Sequence, residues 1–209
     1  MLIKGKRSYM KYKICLIVLS FLLSGMVGAQ NDAELGKSKS MSCAACHGPD
    51  GNSVNPQWPK IAGQSAQYII KQLQHFKNNE RVNPLMNPQA AALSDDDMKH
   101  LAAYYESVAR SPGAADEKLV EAGEKLYRGG NAESGIPACI SCHGPNGKGN
   151  PAAGFPNVSY QHATYLIERL KKYRSAAEAY AGVEIMNGIA AKLTDEEIEA
   201  VSSYMQGLH

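Results

Sequence analysis

An all-α fold in two tandem, similar halves is what this sequence predicts. Apolar stripes at helical spacing run through it, no long alternating strand pattern appears, and a residue pattern near 43–104 recurs near 139–204. With 209 residues, 44% hydrophobic and 20% charged, the chain has room for two small domains. It is neither a disordered tail nor a multi-span membrane protein. The formal charge of +2 hides an asymmetry. Lys4, Lys6, Arg7, Lys11 and Lys13 all precede residue 30, and without them 17 basic residues face 20 acidic ones. That balance speaks against a basic-patch nucleic-acid binder, so no nucleic-acid partner is expected.

Residues 1–29 read as a signal peptide: a basic stretch, the apolar run that begins at Ile14, then Gly28-Ala29 before a cut. The uncharged run of residues 14–29 falls short of the roughly 20 that span a bilayer. An uncleaved N-terminal anchor is the competing reading. The exported chain then begins near Gln30, and Cys15 leaves with the signal.

The elements that follow come in pairs. Leu35, Gly36 and Met41 form a loose stripe before one cysteine pair, and Leu119, Ala122, Gly123, Leu126 and Tyr127 a regular helical stripe before another. At an offset of 97, Gln64, Ala66, Tyr68, Ile70 and Leu73 recur as Gln161, Ala163, Tyr165, Ile167 and Leu170. At an offset of 100, Met86-Asn87 recurs as Met186-Asn187. Met86 lies in Asn83-Pro84-Leu85-Met86-Asn87-Pro88, which reads as a proline-broken polar loop. Ser94-Asp95-Asp96-Asp97 opens a helix with Met98, Leu101, Ala102 and Tyr105 inward. Thr194-Asp195-Glu196-Glu197 is a capping-box start that buries Ile198, Val201 and Met205. Ser111-Pro112-Gly113-Ala114-Ala115-Asp116 reads as the linker, so the domains are expected at 30–112 and 113–209.

Chemistry enters with Cys43-Ala44-Ala45-Cys46-His47 and Cys139-Ile140-Ser141-Cys142-His143. Both read C-x-x-C-H, the attachment signature of c-type haem. Two thiols three residues apart lie about one helical turn apart, so both can add to vinyl groups along one porphyrin edge, and the adjacent His becomes an axial ligand. A four-cysteine zinc site would keep its pairs ~15–20 residues apart. A dithiol redox site needs one pair only, and small disulfide loops would gain little. The expected cofactors are two covalently bound haem c groups. Halves this small, rich in Gly and Pro, are not expected to fold well without them.

The repeat also selects the sixth ligand. His75, His100 and His162 face Lys172, Ala200 and Ser65 in the other half, and Met98 and Met205 lie on core-facing helix stripes. Only Met86 and Met186 occupy equivalent places. Thioether sulfur is soft, favours ferrous iron and closes the coordination sphere, so no catalytic residue and no small-molecule substrate are expected. Pro59 and Pro156 follow the haem histidines by 12 and 13 positions. They read equally as donors of a carbonyl to the His Nδ1–H and as plain loop-shaping prolines. Arg81 reads equally as a propionate partner and as a solvated loop arginine. Gly144-Pro145-Asn146-Gly147-Lys148-Gly149 lacks the spacing of a phosphate loop and reads as a turn.

These two motifs, the Pro-x-Ile/Val and Gln-x-Ala-x-Tyr patterns after each, the paired Met-Asn segments and Gly-Ile-Pro-Ala-Cys at residues 135–139 together resemble the cytochrome c4 family. The likeness covers about residues 33–207. It implies two class I cytochrome c domains related by an approximate two-fold axis, with propionates turned toward the interface. Family roles map onto Cys43, Cys46, His47 and Met86, and onto Cys139, Cys142, His143 and Met186. It further implies a periplasmic electron carrier, often associated with the outer face of the inner membrane, between a quinol-cytochrome c reductase and a terminal oxidase or reductase. The main alternative is the electron-accepting cytochrome subunit of a periplasmic, sulfur-oxidising flavocytochrome-like dehydrogenase. A di-haem peroxidase or thiosulfate-oxidising enzyme would need an open iron or an unusual distal ligand.

Overall fold

A computed structural model describes residues 32–178 and 180–209. The predicted signal peptide lies outside the described residues. Ten α-helices follow in order among those described: α1 (32–39), α2 (Met41–His47), α3 (Ala66–Lys77), α4 (Met86–Ala91), α5 (Asp95–Ser107), α6 (Val120–Gly129), α7 (Ile140–His143), α8 (Ala163–Arg174), α9 (Glu184–Ala190) and α10 (Asp195–Gly207). Among the described residues extended pairing is limited to two isolated bridges, Asn131 with Ile136 and Asn150 with Phe155. The all-α expectation holds.

Each half is organised on one helix crossing. In the second, α10 packs on α6 and α8, and Gly123 sits where α6 meets the backbone of α10. A Cβ there would lie 2.3 Å from the Ala200 carbonyl oxygen. Gly36 repeats the device, with a Cβ position 1.9 Å from the His100 carbonyl oxygen on α5. Only hydrogen at Cα lets the two backbones approach so closely. Around these crossings lie the cores: Tyr127, Ile198 and Val201 with Leu126 in the second half, and Leu101, Ala102 and Tyr105 with Ile69 in the first. Ring pairs Tyr104–Tyr105 and Tyr127–Tyr204 stand 5.0 and 5.5 Å apart, inside the range where aromatic pairs attract.

The predicted helix starts are present in atomic detail. Ser94 accepts from the Asp97 N–H while the Asp97 carboxylate accepts from the Ser94 N–H, and Thr194 with Glu197 does the same for α10. Both boxes satisfy N-terminal donors that have no partner within their helix. One expectation is corrected: of that stripe only Gly36 is buried against α5, while Leu35 and Met41 are 39% and 82% exposed.

The halves meet along the loops after the two cysteine motifs. The Gln161 side chain accepts from Lys60 N–H and donates to Lys60 C=O, each at 2.9 Å. Reciprocally, Gln64 accepts from Asn157 N–H at 2.9 Å and donates to Asn157 C=O at 3.0 Å. Gln64 pairs with Gln161, and Lys60 with Asn157, at the same repeat offset, so these bonds express an approximate two-fold relation. Arg110 ties the interface to the connecting segment, donating from Nε to Ala62 O at 2.7 Å and from Nη1 to Asn157 O and Ser159 O at 3.1 and 3.0 Å.

Candidate functional site

Short helices present the two cysteine motifs. Cys43, Cys46 and His47 lie on α2, while Cys142 and His143 lie on α7 with Cys139 at its N-cap. Both helices end at a glycine of positive φ, Gly48 at 81° and Gly144 at 77°, which turns the chain sharply after the histidine. None of the four motif cysteines is in a disulfide. Among the described residues no three of His, Cys, Asp or Glu gather around a point that could hold a metal ion, so the zinc reading has no geometric support.

The open question about the prolines is answered by distance. His47 Nδ1 lies 2.8 Å from Pro59 O, and His143 Nδ1 lies 3.0 Å from Pro156 O. A carbonyl only accepts, so Nδ1 carries the proton in both rings and the Nε2 lone pair is left free. Burial pushes both imidazoles below their ordinary pKa, and the proline carbonyls pull only partly back. Both rings are therefore neutral at pH 7, the state a ligand needs. Burial also raises the Cys139 thiol to about 11.

Met86 and Met186 do not sit in loops. Met86 is the first residue of α4, and Met186 lies within α9. The reason is local: Asn83 Oδ1 accepts from the N–H of Leu85 and of Met86, at 2.9 and 3.0 Å, starting a helical turn that tolerates Pro88 in its first turn. The residue after each Met fixes its place. Asn87 Nδ2 donates to Arg81 O at 2.9 Å, and Asn187 Nδ2 to Glu178 O at 3.0 Å, at equivalent positions of the repeat. That accounts physically for the recurrence of Met-Asn.

Cys43, Cys46, His47, Met86, Cys139, Cys142, His143 and Met186 all line one cavity of about 410 Å³ that runs through both halves. His75, His100 and His162 do not reach it, whereas Met205 contributes to its wall from the core face of α10. Where the halves join, the wall carries a polar cluster of which sequence reading singled out only Arg81. Arg81 is buried, not solvated: it donates to Gln72 Oε1 at 2.7 Å and to the Tyr165 hydroxyl at 3.3 Å, and its Nε stands 3.7 Å from Glu178. Arg169 grips Glu178 with both terminal nitrogens and donates to the Tyr180 hydroxyl at 3.3 Å. Burial works to raise the Glu178 carboxyl, but the Arg169 guanidinium outweighs it and holds the group below its usual value. Burial pushes the Tyr68 phenol up, so it stays protonated beside them. The one available signal was the recurrence of Tyr68 as Tyr165 and Gln64 as Gln161.

The donor set fits two c-type haems. Each half offers a thiol pair one helical turn apart, a neutral imidazole with Nε2 free, and a thioether on the same cavity wall. In the joining cluster two guanidiniums face one carboxylate, a surplus of positive charge that suits propionates. Glycine-rich loops, packed cores of few residues and a large shared cavity leave room that an apolar macrocycle would fill.

Comparison with known proteins agrees. The family model described as Cytochrome c matches residues 33–109 and again 120–209. A cytochrome c4 of Azotobacter vinelandii is 44% identical over 203 residues, covering 92% of this chain and 97% of that protein. A thiosulfate dehydrogenase electron acceptor of Stutzerimonas stutzeri is 38% identical over 168 residues, covering 78% of this chain and 77% of that protein. The crystal structure of reduced recombinant cytochrome c4 from Pseudomonas stutzeri superposes with a TM-score of 0.82 at 46% identity, covering 85% of this chain and 98% of that one.

Proposed function

This chain belongs to the cytochrome c4 family, and we propose that it works in the periplasm, carrying electrons from a quinol-cytochrome c reductase to a terminal oxidase or reductase. Its broader role is that of a di-haem electron carrier with two covalently bound haem c groups. In this reading Cys43 and Cys46 would hold one haem covalently, and His47 and Met86 would supply its imidazole and thioether donors. Cys139 and Cys142 would hold the other, with His143 and Met186. The two units divide between Pro112 and Gly113.

Bound haem supplies a one-electron iron couple. The protein's own groups set the conditions for it. Pro59 and Pro156 orient the imidazoles and strengthen them as donors. Asn87 and Asn187 seat the methionines, whose thioethers would favour the reduced metal and leave no open position for a substrate. The mostly apolar walls would surround each haem, and Arg81 with Arg169 would offset the negative charge of its propionates. The protein therefore makes and breaks no bonds of a substrate. In this reading the association with the inner membrane is peripheral; among the described residues no helix is long and apolar enough to cross a membrane.

The observation that carries the proposal is the placing of both Cys-Cys-His sets and both methionines on one cavity. A direct test uses membranes of the natural host: with quinol as reductant they should reduce both haems of the purified protein, and membranes containing oxidase should reoxidise them. Failure of both would reject the assignment. The likeness to the thiosulfate dehydrogenase electron acceptor favours a second reading, the electron-accepting subunit of a periplasmic sulfur-oxidising dehydrogenase. Native isolation decides between them, because in that case a catalytic subunit would co-purify and reduced sulfur would reduce the haems.

A further inference from the structure

The peptide unit that joins Pro59 to Lys60 is held at both ends. Its carbonyl accepts from His47 Nδ1 at 2.8 Å, and its N–H donates to Gln161 Oε1, in the other half, at 2.9 Å. The peptide unit that joins Pro156 to Asn157 is held in the two-fold-related way: its carbonyl accepts from His143 Nδ1 at 3.0 Å and its N–H donates to Gln64 Oε1 at 2.9 Å. Each glutamine oxygen is further fixed by the N–H that follows it, His162 N at 3.0 Å and Ser65 N at 3.1 Å. Gln64, Gln161 and Lys60 are all buried.

Peptide resonance links the two ends of such a unit. When the N–H donates, electron density shifts onto the carbonyl oxygen, which becomes a better acceptor; in a chain of bonds this cooperative gain is roughly 10–30% per bond. A better acceptor draws harder on the Nδ1–H and makes Nε2 a stronger donor, which favours ferric iron. We propose that Gln64 and Gln161 are positioning residues that act in trans, each setting the ligand strength of the haem histidine in the opposite half. Docking of the halves thereby lowers both reduction potentials, through two separate crossed relays. The inference rests on the axial assignments proposed above.

The test is a redox titration of the full-length haem-loaded protein, followed by haem-methyl proton signals that report each centre separately. Gln161→Leu should raise the potential of the first-half centre and leave the second unchanged; Gln64→Leu should do the converse. Exchange of the Lys60 amide should quicken by about tenfold in Gln161→Leu, the worth of one hydrogen bond of ~1.4 kcal/mol. Gln161→Glu, which keeps an acceptor on the Lys60 N–H, should return the first-half potential to the wild-type value or below. A merely structural role predicts the opposite pattern, with the larger shift in the half that carries the substitution. That result, equal shifts at both centres, or no shift with a freely exchanging Lys60 amide would overturn the proposal. Should Gln161→Leu fail to hold haem, Gln161→Glu decides alone: a drop larger at the first-half centre supports the relay, and an equal drop at both refutes it. Near-infrared sulfur-to-iron bands in the wild type check the axial assignments independently, since their absence would reject those ligands while leaving the crossed hydrogen bonds in place.

Discussion

Arg169 and Glu178 form a two-pronged ion pair in the wall of the shared cavity, with Nη2 and Oε2 2.5 Å apart and both side chains 7% exposed. Equivalent positions in the first half hold Gln72 and Arg81, so the repeat conserves the place of the contact while changing its charges. Arg81 reaches across to the same carboxylate, and the cluster thus joins the halves electrostatically.

The pair makes stability depend on acid. Glu178 has its carboxyl lowered from 4.5 in the folded protein. Its contribution is therefore complete above the unfolded value and is lost as pH falls through the lowered folded one. Glu178→Gln should cost about 3 kcal/mol at pH 7, because buried Arg169 loses the carboxylate that both its terminal nitrogens grip. Urea unfolding of the haem-loaded protein between pH 7 and pH 3 should show the difference from wild type shrinking as the medium becomes more acidic.

Two glycines of α6 should respond in opposite directions. Gly123→Ala drives a methyl into the Ala200 carbonyl and Tyr204 Cβ, and overpacking of this kind costs about 1–3 kcal/mol. Gly129 has open space at its Cβ position, so Gly129→Ala should stabilise by about 0.5–1 kcal/mol through helix propensity. Paired denaturant midpoints at constant slope check both, and a neutral Gly123→Ala would contradict the close crossing of α6 and α10.

The capping boxes offer a milder perturbation. Removing the hydroxyl in Thr194→Ala or Ser94→Ala should cost about 1 kcal/mol each. The two caps lie in different halves and share no hydrogen-bond partner, so the double variant should lose close to the sum in chemical unfolding.

Much of the site was legible because its signals are local. The C-x-x-C-H spacing, the capping residues Ser94 and Thr194, and the inward faces at Leu101, Tyr105, Ile198 and Val201 all follow from neighbours within a turn or two. The helical setting of Met86 was not, since two prolines conceal a turn that the Asn83 side chain initiates. Arg81 reads as well for a solvated loop residue as for a propionate partner, and its burial involves Tyr165 and Glu178 from the other half. Likewise, Gln64 and Gln161 recur visibly, but the bonds they exchange with Asn157 and Lys60 exist only once the halves dock. Contacts of that range leave no periodic trace in a chain.

The central claim is that each half seats one covalently held haem between a histidine and its own methionine. An optical redox titration of the haem-loaded wild type beside Met86→Ala and Met186→Ala addresses it most directly. Each substitution should lower one reduction potential, abolish one sulfur-to-iron band in the near infrared, and leave the other centre largely as it was. Unchanged spectra and potentials in either variant would contradict the ligand assignment for that half.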